Sequence, residues 1–264
     1  MSRVANAFFL PDGDGWRATS HTRGPWSPVH QHGGPPAALI AHVVEAAAPE
    51  LFVARLTVDF LRPVPIDRLR VRVEPLRAGA KVQRLIGLLL HADTVVAHAV
   101  IMLIRREAVS VKPVSDAAAL PPPEMSRPFQ FPFFREPDGY HTAMETRLAR
   151  GEFGTGQAAA WMRQRVPLVP EAPPSPLERV LVAADSGSGV SAAIDHRLQS
   201  AVNPDLTVVL SRPLEGEWVG LDSVSTYEPS GIGLADTRIC DARGTVGRVL
   251  QGLVLEERRP PGRS

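Results

Sequence analysis

The chain of 264 residues holds one cysteine, Cys240, which excludes an internal disulfide and a cysteine-built metal centre and fits a reducing compartment. It has almost no net charge, since 29 Lys and Arg stand against 28 Asp and Glu. No field of that size draws in nucleic acid or an anionic membrane as main partner, so an anionic ligand must be met locally. No run approaches the roughly 20 apolar residues needed to span a bilayer. The start, Met1-Ser2-Arg3-Val4-Ala5-Asn6 into Phe8-Phe9-Leu10-Pro11-Asp12, has no long apolar stretch and does not read as a signal peptide. These absences set the expectation of a cytoplasmic protein with no membrane insertion.

What is present is a large apolar share, 44%, in a chain longer than the usual domain of about 100–150 residues, so two domains or a fused repeat are expected. Gly33-Gly34-Pro35-Pro36 leads into an alanine-rich apolar stretch through Ala46, which reads as a buried helix with Pro in its first turn and Pro49 at its end. Apolar, β-branched runs at about 52–61, 68–76, 81–91 and 94–105 follow and read as an antiparallel meander. Seven prolines between 108 and 139 argue against regular structure there and mark a linker or a surface-hugging connection. Beyond it, Ser175-Pro176-Leu177-Glu178 has the capping-box pattern of a helix start. Asp185-Ser186-Gly187-Ser188-Gly189 is expected to interrupt this helix before Val190–Ile194, and strand-like runs return at about 206–211, 217–227, 232–241 and 245–255.

The two halves repeat. Arg62-Pro63 recurs as Arg212-Pro213, and the same offset of 150 pairs Thr57-Val58 with Thr207-Val208, Ala92 with Ala242, Val96 with Val246 and Leu103 with Leu253. It also lays Ala37–Ala48 on the stretch 187–198. The expected division is a first unit 1–107, a proline-rich linker 108–139 and a second unit 140–264. Each unit is an α+β helix-plus-sheet.

A helix followed by a curled antiparallel sheet, duplicated in one chain, resembles the double hot-dog fold of the acyl-CoA thioesterase II family and its thioesterase-like branch. The stretches that carry the resemblance are His32-Gly33-Gly34-Pro35-Pro36-Ala37-Ala38, Val58-Asp59-Phe60-Leu61-Arg62-Pro63, and Asn203-Pro204-Asp205-Leu206-Thr207 with Ser211-Arg212-Pro213 and Glu217-Trp218. In that family an Asp of the second helix, a Thr-type hydroxyl and a Gln of the last strand activate water. By position these fall on Asp185, Asn203 and Gln251. Asn203 departs from the pattern, because an amide stands where the family has a hydroxyl, and the match at Gln251 takes a one-residue gap in the preceding turn.

The repeat points to the same residues. Their counterparts at the offset are Pro35, Val53 and Ile101, so each polar residue breaks the symmetry, and a buried polar group must find a partner or lose stability. The competing accounts are that Asp185 caps a helix, Asn203 serves a turn and Gln251 faces solvent at an edge. In the functional account Asp185 takes a proton from water or orients it, Asn203 and Gln251 hold that water, and N–H groups near Gly187–Gly189 receive the oxyanion. The reaction this implies is hydrolysis of acyl-CoA, with acyl-CoA as partner, no metal and no cofactor; a homo-oligomer is compatible with it. Two rivals are a hot-dog dehydratase or hydratase using His32 with Asp185, and a silent acyl-thioester binding protein. Gly187-Ser188-Gly189-Val190-Ser191-Ala192 fits a loose dinucleotide fingerprint, but the capping box makes its approach helical. His30-Gln31-His32 has no third metal ligand placed by spacing, and no G-x-S-x-G elbow is present.

Overall fold

In the computed structural model, which describes residues 6–112, 114, 119–170 and 172–258, the β-branched runs become strands close to where the sequence puts them. The first half holds a short hairpin, β1 (Phe9–Asp12) and β2 (Gly15–Ala18), then helix α1 (Gly34–Ala47) and strands β3 (Leu51–Phe60), β4 (Arg68–Ala78), β5 (Val82–His91) and β6 (Thr94–Arg105). A two-residue edge strand, β7 (Arg127–Pro128), and a single turn of helix, α2 (Tyr140–Ala143), precede the second half. That half holds β8 (Met144–Gly151), β9 (Gln157–Gln164), α3 (Pro176–Ala184), α4 (Gly187–Val190), β10 (Gln199–Val202), β11 (Asp205–Leu210), β12 (Val219–Glu228), β13 (Ile232–Asp241) and β14 (Gly244–Glu257). All strands join one 14-stranded antiparallel sheet in the order β1-β2-β4-β5-β6-β3-β11-β14-β13-β12-β9-β8-β7, with β10 on β14.

The centre of that sheet explains the offset. Thr57 of β3 pairs with Thr207 of β11, its own counterpart 150 residues later, and their hydroxyls are 3.3 Å apart. An antiparallel pair in which a residue faces its own equivalent is a local two-fold axis. Register is kept outward from it: Thr57 pairs with Val100 and Thr207 with Leu250, again 150 apart. Strands β3 to β6 can therefore be compared residue by residue with their twins in β10 to β14.

The helices do not follow the offset. It carries Ala37–Ala48 onto 187–198, yet the second helical segment starts at Pro176 and its last turn ends at Val190. The chain from helix to central strand is longer in the second half, so the register slips there. Pro35 lies in the first turn of α1 whereas Asp185 follows the last residue of α3, and the correspondence between them is corrected. Corrected too is the break in the helix: it is confined to Asp185 and Ser186, and helix resumes at Gly187 rather than beyond Gly189. The capping box is present, with Ser175 Oγ accepting from Glu178 N–H at 3.1 Å and Ser175 N–H donating to Glu178 Oε2 at 3.0 Å.

Helix α1 packs against α3 so closely that a Cβ on Gly34 would lie 2.3 Å from the Val182 carbonyl oxygen. Ala37, Ala38, Leu39, Ile40 and Ala41 are fully buried in the core between helices and sheet. Full burial of a side chain such as Leu39 or Ile40 stabilises by about 1.5–3 kcal/mol, which outweighs the weak helix propensity of the Gly-Pro start. Among the described residues no helix is long and apolar enough to cross a membrane.

The proline-rich stretch is more than a spacer. It forms one 3₁₀ turn at Pro123–Met125, adds β7 to the edge of β8, and then lays Phe129, Phe131, Phe133 and Phe134 against the core.

Candidate active site

Asp185 ends α3 as its C-terminal cap residue and is buried, at 7% exposure. Its carboxylate caps nothing: among the described residues it accepts no backbone N–H, and the residue before α4 is Ser186, which makes no side-chain cap bond. The carboxylate instead gathers side chains from three directions. Asn203, at the break between β10 and β11, donates from Nδ2 to Asp185 Oδ1 at 2.7 Å and to the Asp205 carbonyl at 2.9 Å. Gln251 on β14, fully buried, donates from Nε2 to the Asp185 carbonyl at 3.2 Å and reaches Oδ1 at 3.4 Å, while its Oε1 accepts from Ser188 N–H at 3.0 Å. The three residues singled out in the sequence thus form one hydrogen-bonded group.

Their arrangement differs from the expected one in two respects. Gln251 is not among the residues lining the cavity beside Asp185 and spends both ends of its amide on the α3–α4 junction. Both ends of the amide are thus bound to protein groups of that junction. Ser188 N–H, one of the amides expected to receive an oxyanion, is already bonded to Gln251. Asn203 does reach the cavity; both its amide hydrogens are used, which leaves its Oδ1 as the available acceptor.

The first half also contributes, which the triad reading missed. His32 Nδ1 stands 3.1 Å from Asp185 Oδ2, and its ring stacks on Tyr140 with centroids 3.7 Å apart. Gly34 N–H approaches the same Nδ1 at 3.2 Å. The two contacts demand opposite tautomers, and the charge-assisted bond to the carboxylate is the stronger, placing the proton on Nδ1. Burial pushes the His32 pKa down and the Asp185 charge only partly opposes it, so the imidazole is held neutral at pH 7. Tyr140 is held in its phenol form by burial and bonds from its hydroxyl to the Val182 carbonyl at 2.8 Å. Gly33 is needed for closeness: a Cβ there would meet Asp185 Oδ2 at 2.9 Å and Phe60 at 2.8 Å. The signal for His32 was its place before Gly33-Gly34 at a helix start, but nothing in its spacing pointed to Asp185.

A cavity of about 570 Å³ opens beside this group. Asp185, Asn203, His32 and Gly33 form its polar end, and Trp26, Phe131, Phe133 and Phe134 form an apolar wall. The rings adjoin one another, with Trp26 stacked on Phe133 at 6.3 Å and Phe131 tilted against Phe133 at 5.3 Å. Among the described residues no group of His, Cys, Asp and Glu is arranged to hold a metal, and Gly187-Ser188-Gly189 lies in a helical turn that follows α3 and no strand.

The N-terminal domain model of acyl-CoA thioesterases matches residues 22–104, and the C-terminal domain model matches residues 110–255. No curated protein matches the chain. Among solved structures, a protein assigned as a thioesterase from Novosphingobium aromaticivorans DSM 12444 is 20% identical, with 94% of this chain and 98% of that one covered and a TM-score of 0.77. A hot-dog protein of unknown function from Alicyclobacillus acidocaldarius is 18% identical over 96% of each chain, TM-score 0.72. An acyl-CoA thioesterase II from Mycobacterium marinum is 18% identical over 96% of this chain and 95% of that one, TM-score 0.68. The structural likenesses show the double hot-dog fold, and the two domain models, which between them span both halves, show that the chain belongs to the acyl-CoA thioesterase family, whose reaction is thioester hydrolysis.

Proposed function

We propose that Asp185 is the general base of acyl-CoA hydrolysis in this protein, with Asn203 holding the attacking water and Gln251 fixing the base. The observation that carries this is the Asn203 amide, which lines the cavity and whose Nδ2 is tied to Asp185 at 2.7 Å while its Oδ1 has no protein donor among the described residues. A hydroxyl would serve carboxylate and water with one atom; the amide divides the two tasks between its ends. Water bound between Asp185 and Asn203 attacks the acyl carbonyl and gives its proton to Asp185. The tetrahedral oxyanion then collapses, the C–S bond breaks, and the thiolate takes the proton from Asp185 to leave as CoA-SH.

The oxyanion needs donors, and the start of α1 supplies them. Pro35 and Pro36 have no N–H and Gly34 is not among the residues lining the cavity, whereas Gly33 lines it and its N–H has no protein acceptor among the described residues, so Gly33 N–H is the donor offered to substrate. The division into 1–107, 108–139 and 140–264 belongs to this reading, with each part adding to the cavity: His32 and Gly33, then Phe131 and Phe133, then Asp185 and Asn203. We place the reaction in the cytoplasm, in keeping with the single, buried and unpaired Cys240.

The test is thiol release from a panel of short, medium, long and aryl acyl-CoAs, with and without chelator. Release from at least one, unaffected by chelator, is expected; none across the panel sinks the reading. A dehydratase is the second reading, favoured by the 3.1 Å approach of His32 to Asp185. It requires an enoyl thioester to appear with no free thiol, and the domain models weigh toward hydrolysis.

A further inference from the structure

The two Arg-Pro corners that mark the repeat are built alike and wired differently. Main-chain bonds anchor both to the same strand position through donors one residue apart, Arg62 N–H on the Val96 carbonyl and Ser211 N–H, just before Arg212, on the carbonyl of Val246, the counterpart of Val96. In the second half the Arg212 guanidinium is bound at both ends by Asp241, which is buried, and also donates to the Gly244 carbonyl at 3.2 Å. The counterpart of Asp241 in the first half is His91, which turns to Asp67 at 3.1 Å. Arg62 has thereby lost its carboxylate: among the described residues no acid lies within 4.0 Å of it, and it is exposed.

Arg62 also faces the cavity that holds Asp185, and it is the one Lys or Arg among the lining residues. The other charges there are Asp185 at the polar end and Glu256, which is exposed. A guanidinium without a protein partner among the described residues, on a main-chain-anchored corner that lines the cavity, is suited to bidentate binding of a phosphate. The chain as a whole offers no field for an anion, so local recognition must carry it.

We infer that Arg62 binds a phosphate of the thioester's carrier group, and that the loss of the Asp241-type partner in the first half frees it to do so. The inference rests on the thioesterase reading for the identity of the ligand. Two sources share this chemistry: the phosphate next to pantetheine, common to CoA and carrier-protein thioesters, and the phosphates on the nucleotide of CoA.

Calorimetry of wild type, Arg62→Ala and Arg62→Lys with CoA, 4′-phosphopantetheine and pantetheine tests it. Arg62→Ala is expected to weaken CoA binding by about tenfold, the scale of one partly exposed charge-assisted contact, with partial recovery in Arg62→Lys and no change for pantetheine. Added salt should weaken the wild type more than Arg62→Ala. An equal loss with 4′-phosphopantetheine assigns the inner phosphate; a loss with CoA alone assigns the nucleotide. Unchanged CoA affinity in Arg62→Ala, an equal loss for pantetheine, or no CoA binding by the wild type overturns the inference. Binding that depends on Arg62 in a protein that releases no thiol would reject the hydrolytic reading and leave this one standing.

Discussion

Strands β3 to β6 and their twins 150 residues later keep register about Thr57 and Thr207, and yet one half has apolar packing where the other has a polar group. Val53 and Ile101 of the first half answer to Asn203 and Gln251 of the second, while the first half's Arg62 is free and the second half's Arg212 is tied to Asp241. A two-fold built from one chain frees each half to diverge, since neither must serve the same place twice. The site then draws on both: the base from the end of α3, and His32 and Gly33 from the start of α1. The difference teaches that the sheet is shared scaffold and that chemistry was placed by a few substitutions on it.

The sharpest break in the comparison is removal of the base. Asp185→Asn keeps the shape and a donor-acceptor group for Asn203, so a folded protein is expected, with turnover lower by roughly 10²–10⁴-fold, the range for a positioned acid or base. Steady-state kcat with unchanged circular dichroism would check it. Near-full activity would remove Asp185 from the mechanism.

Next come reciprocal exchanges at one twin position. Gln251→Ile imports the first half's residue, but it orphans Ser188 N–H, so a cost of about 1–3 kcal/mol is expected, partly offset by apolar burial. Turnover should fall because the α3–α4 junction that holds Asp185 loses its brace. Ile101→Gln buries an amide where no cavity waits, and it should cost stability without adding a second site. Urea denaturation of both variants, with rates on the soluble one, decides the matter; a normal rate in Gln251→Ile would falsify its positioning role. At Asn203 the effect should be smaller. Loss of one hydrogen bond to a charged group in Asn203→Ala predicts a drop of about 10–100-fold, and Asn203→Thr should recover part of it through its hydroxyl.

Much of this was legible before any fold was seen, for reasons particular residues make plain. Strands such as Leu51–Phe60 and Thr94–Arg105 are β-branched and alternate, and the offset of 150 holds there because strand register tolerates no slip. Asp185, Asn203 and Gln251 stood out because each replaced an apolar twin or matched a family position. The twin of Asp185 was misread, since helices joined by loops of different length slip without penalty to the core. Strand β9 went unseen because Ala158-Ala159-Ala160 has weak strand propensity; packing between β8 and β12 overrides it. The aromatic wall was hidden for a similar reason: Phe129, Phe131, Phe133 and Phe134 lie among prolines and have no period to read. His32 could be named as a candidate, but its approach to Asp185 depends on α1 lying against α3, a contact between segments about 150 residues apart.

The smallest expected effect concerns that helix contact, the seam between the halves. His42 of α1 bonds through Nδ1 to Glu178 Oε1 of α3 at 2.7 Å, and Glu45 of α1 accepts from Ser175 Oγ at 2.6 Å. The Glu178 bond raises the His42 pKa above 6.5 against the pull of burial, and burial, aided by the nearby Glu178 charge, raises that of Glu45 above 4.5. Both groups hold protons more tightly folded than unfolded, so both contribute stability that is lost as pH rises. The His42 share is complete below about pH 6.5 and fades through its raised folded value; the Glu45 share fades in a lower window starting near pH 4.5. Thermal melts of the wild type from acid to neutral and above should therefore show Tm falling across the His42 window. His42→Gln should flatten that fall while leaving the part due to Glu45, and because His42 and Glu178 do not line the cavity the ratio of hydrolysis rates between two acyl-CoAs should not move. A melt profile of His42→Gln as steep as that of the wild type above pH 6.5 would show that the two halves are joined by packing at Gly34 and not by this charge.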